Sequence, residues 1–253
     1  SNDKLLVAGK FSFAGGAITG GAASYDGFSW DEINTPLTHW QSSDPDFNAD
    51  PPHVLQTGVH HLVEYNNTYF AGGSFKFLNP FGQNSTLSNL ATIENMMWVG
   101  FAESELGSTE ITGMLVHKDL LFISGAKTEQ ANAFDTALYS WDGSSLVDVS
   151  NGIIGKIAAI DAYDSYLYCA VQTDSTSGHI VRYDCTSWED LGSYSGFALD
   201  IKASSGSAFV TTGDAVWFAD GSAVEIGSSN GPVYAAEIYQ DNLIVGGLFT
   251  EID

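Results

Sequence analysis

Positive charge is what this chain lacks most. Its 253 residues hold eight Lys and Arg together against 31 Asp and Glu, a formal net charge of −23, and Arg182 is the one arginine. Neutralising a nucleic-acid backbone takes clustered cations, so nucleic-acid binding is excluded. Attraction to an anionic membrane surface fails for the same reason. Long apolar runs are missing as well, so no membrane-spanning helix is encoded. No signal peptide stands before Ser1, which reads as a processed or trimmed end. Ser, Thr, Gly and Asn take the surface positions where a cytosolic protein would carry lysine, and that composition points to the cell exterior. What remains is an ordinary 44% hydrophobic content, enough to build the core of a single all-β domain over residues 1–253.

A short phrase recurs six times: an apolar strand that runs into small residues, often glycine, and then usually an aromatic. Leu5-Leu6-Val7-Ala8-Gly9-Lys10-Phe11, Tyr69-Phe70-Ala71-Gly72-Gly73-Ser74-Phe75 and Leu121-Phe122-Ile123-Ser124-Gly125 are the first three copies. Leu167-Tyr168-Cys169-Ala170-Val171, Ala208-Phe209-Val210-Thr211-Thr212-Gly213 and Leu243-Ile244-Val245-Gly246-Gly247-Leu248-Phe249-Thr250 complete the set. Five copies follow a further apolar strand, at 61–65, 111–116, 157–162, 198–203 and 233–239. Tight polar turns at Asn66-Asn67-Thr68, His117-Lys118-Asp119, Asp164-Ser165 and Gln240-Asp241-Asn242 predict hairpins between the two.

A second phrase carries Asp-Gly: Tyr25-Asp26-Gly27-Phe28-Ser29-Trp30, Trp141-Asp142-Gly143-Ser144-Ser145-Leu146, Tyr183-Asp184-Cys185-Thr186-Ser187-Trp188 and Ala219-Asp220-Gly221-Ser222-Ala223-Val224. Read as a two-residue turn with positive φ at both positions, it predicts a second hairpin, between third and fourth strands. Four antiparallel strands per repeat describe a β-propeller blade, and five or six blades are expected. Residues 4–34 supply three strands of a blade and 232–253 supply two. The two ends therefore either share a blade or belong to a longer extracellular chain.

The paired glycines of Ile244-Val245-Gly246-Gly247-Leu248-Phe249-Thr250, with the turn Tyr25-Asp26-Gly27-Phe28-Ser29-Trp30, resemble the kelch and galactose-oxidase-like propellers. More narrowly, the combination resembles the fungal cortical cell-polarity markers, surface glycoproteins that mark bud sites. That resemblance implies a non-catalytic extracellular propeller that binds protein partners. A secreted carbohydrate-active propeller, lectin or glycosidase, is the alternative, with a glycan as ligand. A glycosidase needs two or three convergent carboxylates, and 31 acidic residues single out no pair. A sialidase would clamp its substrate with several arginines, and one cannot do so.

Candidate sites lie mostly on what interrupts the repeat. Sequons at Asn66 and Asn84 would carry glycans. Asp44, Asp46, Asn48 and Asp50 place oxygen ligands at alternate positions, a pattern suited to calcium. Ala49 stands at the turn where glycine is wanted, so a solvated acidic loop competes with that reading. Otherwise no cofactor is expected. Trp40, Phe77 and Phe81, in the two long insertions, are candidate partner contacts. Cys169 and Cys185 lie one repeat strand apart, which suits a local disulfide worth about 3 kcal/mol, with two unpaired thiols as the alternative. His60 and His61 are adjacent on a predicted strand. Strict alternation sends their side chains to opposite faces, so that strand alone could not present both to one metal.

Overall fold

The structure, a computed structural model, describes residues 4–8, 13–18, 22–33, 59–77, 87–94, 97–102, 106, 110–126 and 136–253. It divides into two compact units, Ser1–Met114 and Leu115–Asp253. The regular elements are all β, and no helix among the described residues is long and apolar enough to cross a membrane.

In the first unit, β1 (Leu5–Ala8), β4 (Ala22–Tyr25) and β5 (Trp30–Glu32) form a three-stranded antiparallel sheet, with the two-residue strands β2 (Phe13–Ala14) and β3 (Ala17–Ile18) making a separate hairpin. A four-stranded sheet follows in the order β6 (Val59–Tyr65), β7 (Thr68–Phe77), β8 (Leu87–Glu94), β9 (Met97–Gly100). Ala22, Ile33, Ala71 and Ala91 are buried where the two sheets meet, with Leu6, Leu62 and Ile93 packed against them. Three of the four buried residues at this seam are alanines. On the side of the second sheet facing the strand 110–117, a Cβ on Gly72 would stand 2.7 Å from Ile111 Cγ2 and 2.9 Å from Met114 Sδ.

The boundary between the units falls within β10 (Glu110–His117), the first strand of a sheet completed by β11 (Leu120–Ala126), β12 (Thr136–Trp141) and β13 (Leu146–Asp148). Two further four-stranded meanders follow. One is β14 (Lys156–Tyr163), β15 (Tyr166–Gln172), β16 (Ser177–Tyr183) and β17 (Trp188–Ser195). The other is β18 (Asp200–Ser204), β19 (Ser207–Thr211), β20 (Ala215–Ala219) and β21 (Ala223–Ser228). A hairpin of β22 (Val233–Tyr239) and β23 (Asn242–Gly247) comes last. Every expected strand group is thus present as a unit: three strands at the start, two at the end, four in each full repeat between.

The six glycine phrases are β1, β7, β11, β15, β19 and β23, and they explain their own composition. Leu121, Phe122 and Ile123 on β11 are at most 1% exposed, and on β15 every residue from Leu167 to Gln172 is buried. A strand covered on both faces reads as a continuous apolar run instead of an alternating one. Each such Leu, Ile or Phe contributes about 1.5–3 kcal/mol by burial. Fourth strands are the contrast, β21 being largely exposed. Tyr168, Leu191, Ile201 and Val210 belong to one buried cluster between the last two full sheets.

The polar turns form the expected hairpins but with two residues each, since Thr68, His117 and Asn242 lie on the flanking strands. Asn66 and Asn67 have φ of 50° and 59°, Lys118 and Asp119 49° and 59°, and Gln240 and Asp241 48° and 62°. Both central residues are left-handed, as the right-handed twist of the flanking strands requires.

Candidate functional site

The Asp-Gly phrases fold differently from the two-residue turns expected: in the fourth copy Ala219 pairs with Ala223, leaving three residues between them, and the other three share a wider loop. Tyr25 pairs with Trp30, Trp141 with Leu146 and Tyr183 with Trp188, so four residues bridge each pair. Only the second of the four has positive φ: Gly27 and Gly143 at 97°, Cys185 at 76°. The aspartate closes the wider loop with its carboxylate. Asp26 Oδ1 accepts the backbone N–H of Phe28 and of Ser29, both at 2.8 Å. Asp142 Oδ1 accepts from Ser144 and Ser145 at 2.7 Å, and Asp184 Oδ1 from Thr186 at 2.8 Å and Ser187 at 2.7 Å. Aspartate is therefore selected here as an acceptor, not as a residue tolerant of positive φ.

These bonds favour the charged form. The Thr186 hydroxyl, followed by the two backbone N–H groups, holds Asp184 down at about 2. Asp26 and Asp142 are lowered chiefly by the N–H of Ser29 and of Ser145. Beneath the turns, Tyr25 stacks on Trp30 at 5.0 Å and Tyr183 on Trp188 at 4.6 Å. The indole N–H of Trp188 donates to Val149 O at 3.2 Å, tying one sheet to the end of the preceding one.

The third turn residue separates the copies. Ser144 and Thr186 turn their hydroxyls back to the aspartate, at 2.8 and 2.5 Å. Phe28, at the same place in the first copy, is 95% exposed. A large aromatic thus stands in water on a turn held by two charge-assisted hydrogen bonds. The sequence reading passed over Phe28 because it sat inside the repeat. Its mismatch with Ser144 and Thr186 was the available signal.

The expected disulfide does not form: Cys169 and Cys185 are both free thiols. Cys169 is buried in mid-strand on β15, opposite Val181. Cys185 lies four residues beyond Val181, in the turn rather than on a strand. The strand carries the chain about 7 Å from Val181 to Tyr183, and Cys185 lies beyond that end in the turn, outside the 4.4–6.8 Å between Cα atoms that a disulfide tolerates. Burial pushes the Cys169 thiol up, beyond the range in which it ionises. Lys118 Nζ is instead the neighbour of Cys185, 4.0 Å from its Sγ.

Asn66 is exposed at a hairpin tip with φ of 50°. Phe77 ends β7, opposite Leu87. Asn84, Trp40, Phe81 and the acidic stretch Asp44, Asp46, Asn48 and Asp50 lie outside the described residues. Among the described residues, no three His, Cys, Asp or Glu side chains come together to hold a metal.

Two further features were not anticipated. On the first strands of consecutive sheets, Lys202 lies 3.4 Å from Asp161 and 3.1 Å from Glu237. Counted back from their hairpins, these three residues hold the same place on β14, β18 and β22. Separately, in the first unit a cavity of about 360 Å³ is lined by Leu6, Val7, Ala8, His60, His61, Leu62, Val63 and Met114. A register shift between Val59 and His61 leaves His60 without a cross-strand partner, and such a bulge re-aims side chains. Contrary to strict alternation, both histidines reach one cavity, with ring centroids 6.4 Å apart.

No protein-family model matches the chain, and no curated protein is similar to it in sequence. Solved structures do resemble it in fold. A chain of the mitotic checkpoint complex aligns with a TM-score of 0.50 at 11% identity, covering 89% of this chain and 64% of that one. Sqt1 of Saccharomyces cerevisiae aligns with a TM-score of 0.48 at 10% identity over 76% and 69%. The computationally designed Ika8 protein gives 0.47 at 14% identity over 77% and 57%. This chain thus spans less than two thirds of the checkpoint and Ika8 chains. The fold class is all-β and propeller-like, built from four-stranded antiparallel sheets.

Proposed function

We propose that this chain is a non-catalytic, extracellular propeller segment of a cell-surface glycoprotein, and that it binds a protein partner through the Phe28 turn. The observation that carries the reading is a 95% exposed phenyl ring on a backbone already fixed by Asp26. Aromatic anchors presented without an ordering cost make the strongest contacts in protein interfaces. Ser144 and Thr186 show that the turn closes equally well with a small polar residue there, so the turn itself does not require Phe28. The extracellular assignment rests on composition and on the sequons at Asn66 and Asn84. The finer reading, a cortical polarity or bud-site landmark, rests on resemblance in the glycine and Asp-Gly phrases.

A photoreactive phenylalanine analogue at position 28, in the chain displayed by its native cell, tests the reading. One discrete protein adduct is expected, with none when the analogue stands at Ser144. Equal labelling from both positions would overturn the assignment of the turn. Turnover in a broad oligosaccharide hydrolysis screen would overturn the non-catalytic reading.

A further inference from the structure

We propose that His60, His61 and Met114 form a binding site for a soft monovalent cation, Cu(I). Three placements converge. The bulge at His60 brings both imidazoles to one cavity. Two imidazoles sharing an ion between them, each nitrogen about 2 Å from the metal, hold their centroids about 6 Å apart, and those of His60 and His61 are at 6.4 Å. The thioether comes from across the strand pair. Gly72 is the cross-strand partner of His61, and Met114 Sδ fills the space where a Gly72 side chain would begin. Directly opposed positions lie about 5 Å apart at Cβ, so the sulfur sits beside the His61 ring on the same face of the sheet. The glycine phrase at Ala71-Gly72-Gly73 thereby has a second purpose, to admit a sulfur ligand.

The state of His61 fits. It is half-buried, and the backbone of Thr112 accepts one ring N–H. With that nitrogen committed to the backbone, the other is left as a donor to metal, the arrangement usual for ligating histidines. Two imidazoles and a thioether select soft Cu(I) over calcium or magnesium, which demand oxygen.

The test is an anaerobic competition with the Cu(I)–bicinchoninate complex. It uses the full chain with Cys185→Gly, which removes the accessible thiol as a rival ligand. One equivalent of Cu(I) should transfer to the protein, and His60→Ala and Met114→Leu should each weaken binding tenfold or more. His60 is exposed and Met114→Leu conserves volume, so both variants should keep the parent's circular dichroism and thermal midpoint. His179→Ala should bind as the parent does. Ag(I), the redox-inert probe, should shift the Met114 methyl and His61 ring resonances together. Failure to withdraw Cu(I), or binding that survives both His60→Ala and Met114→Leu, would overturn the site.

Discussion

Cys185 occupies the turn position held by Gly143 in the preceding sheet, and both have positive φ, 76° and 97°. A left-handed residue with a Cβ is strained by about 1–2 kcal/mol, a cost that Gly27, Gly143 and Gly221 avoid. Cys185→Gly should therefore raise stability by about 1 kcal/mol, less the added entropy of a glycine when unfolded. Urea denaturation would show a higher midpoint at unchanged slope. A lower midpoint would mean that the Lys118 contact outweighs the backbone strain.

Thiol chemistry should separate the two cysteines. An exposed-thiol reagent should modify Cys185 in the native protein and reach Cys169 only on unfolding. The intact mass should be the same with and without reductant, since no bond joins the pair. A loss of two hydrogens in the oxidised protein would contradict the free thiols.

Acid should weaken the fold in two stages. The first involves His61, whose pKa drops from 6.5 to about 4 on folding. Between those values the unfolded chain carries a proton that the folded one does not, so stability falls as pH drops through that window. Asp184 follows, lowered from 3.8 to about 2, and with it Asp174, lowered to about 2 chiefly by the Ser177 hydroxyl. Their contribution is complete above pH 3.8 and disappears as pH falls through about 2. Denaturation midpoints against pH should show both steps; Asp184→Asn should flatten the lower one and leave the upper one intact.

Removing the Asp161 carboxylate should destabilise the second unit. Its Oδ2 accepts the backbone N–H of Ala203 at 2.9 Å and lies 3.4 Å from Lys202. Asp161→Ala leaves a partly buried donor unpaired, at a cost of about 1–3 kcal/mol. Asp161→Asn retains an acceptor and should cost less. Equal losses in the two variants would assign the effect to the ion pair with Lys202 alone.

The repeats were legible because burial on both faces of β11 and β15 leaves an uninterrupted apolar run, and the polar turns between runs have a local reason to turn. Even the partial groups at either end could be read from strand counts. What could not be read was geometry that depends on register. Cys169 and Cys185 looked like neighbours until the ladder put Val181 opposite Cys169. His60 and His61 looked divergent because a single bulge residue leaves no mark in the alternation. Asp-Gly predicts the shorter turn because sequence does not distinguish a left-handed aspartate from one that accepts two N–H groups. Phe28 was overlooked for a related reason: its exposure follows from what Ser144 and Thr186 do in its place, and that comparison needs the bonds.

The carboxylates on the first strands give the second unit a direction. Asp161 on β14 serves Ala203 on β18, and Asp200 on β18 serves Ala236 on β22 at 2.9 Å. Each sheet supplies the acceptor that the following sheet needs. Cutting at the seam between β17 and β18 exposes the same apolar cluster from either side, but a fragment that ends after β17 leaves in addition only a carboxylate, which water accommodates readily. A fragment that starts at β18 leaves Ala203 without its acceptor. Within Leu115–Asp253, then, shortening from the C-terminal side should be tolerated better than shortening from the other, and an expression boundary is best drawn upstream of the strand that gives, never just ahead of the one that receives.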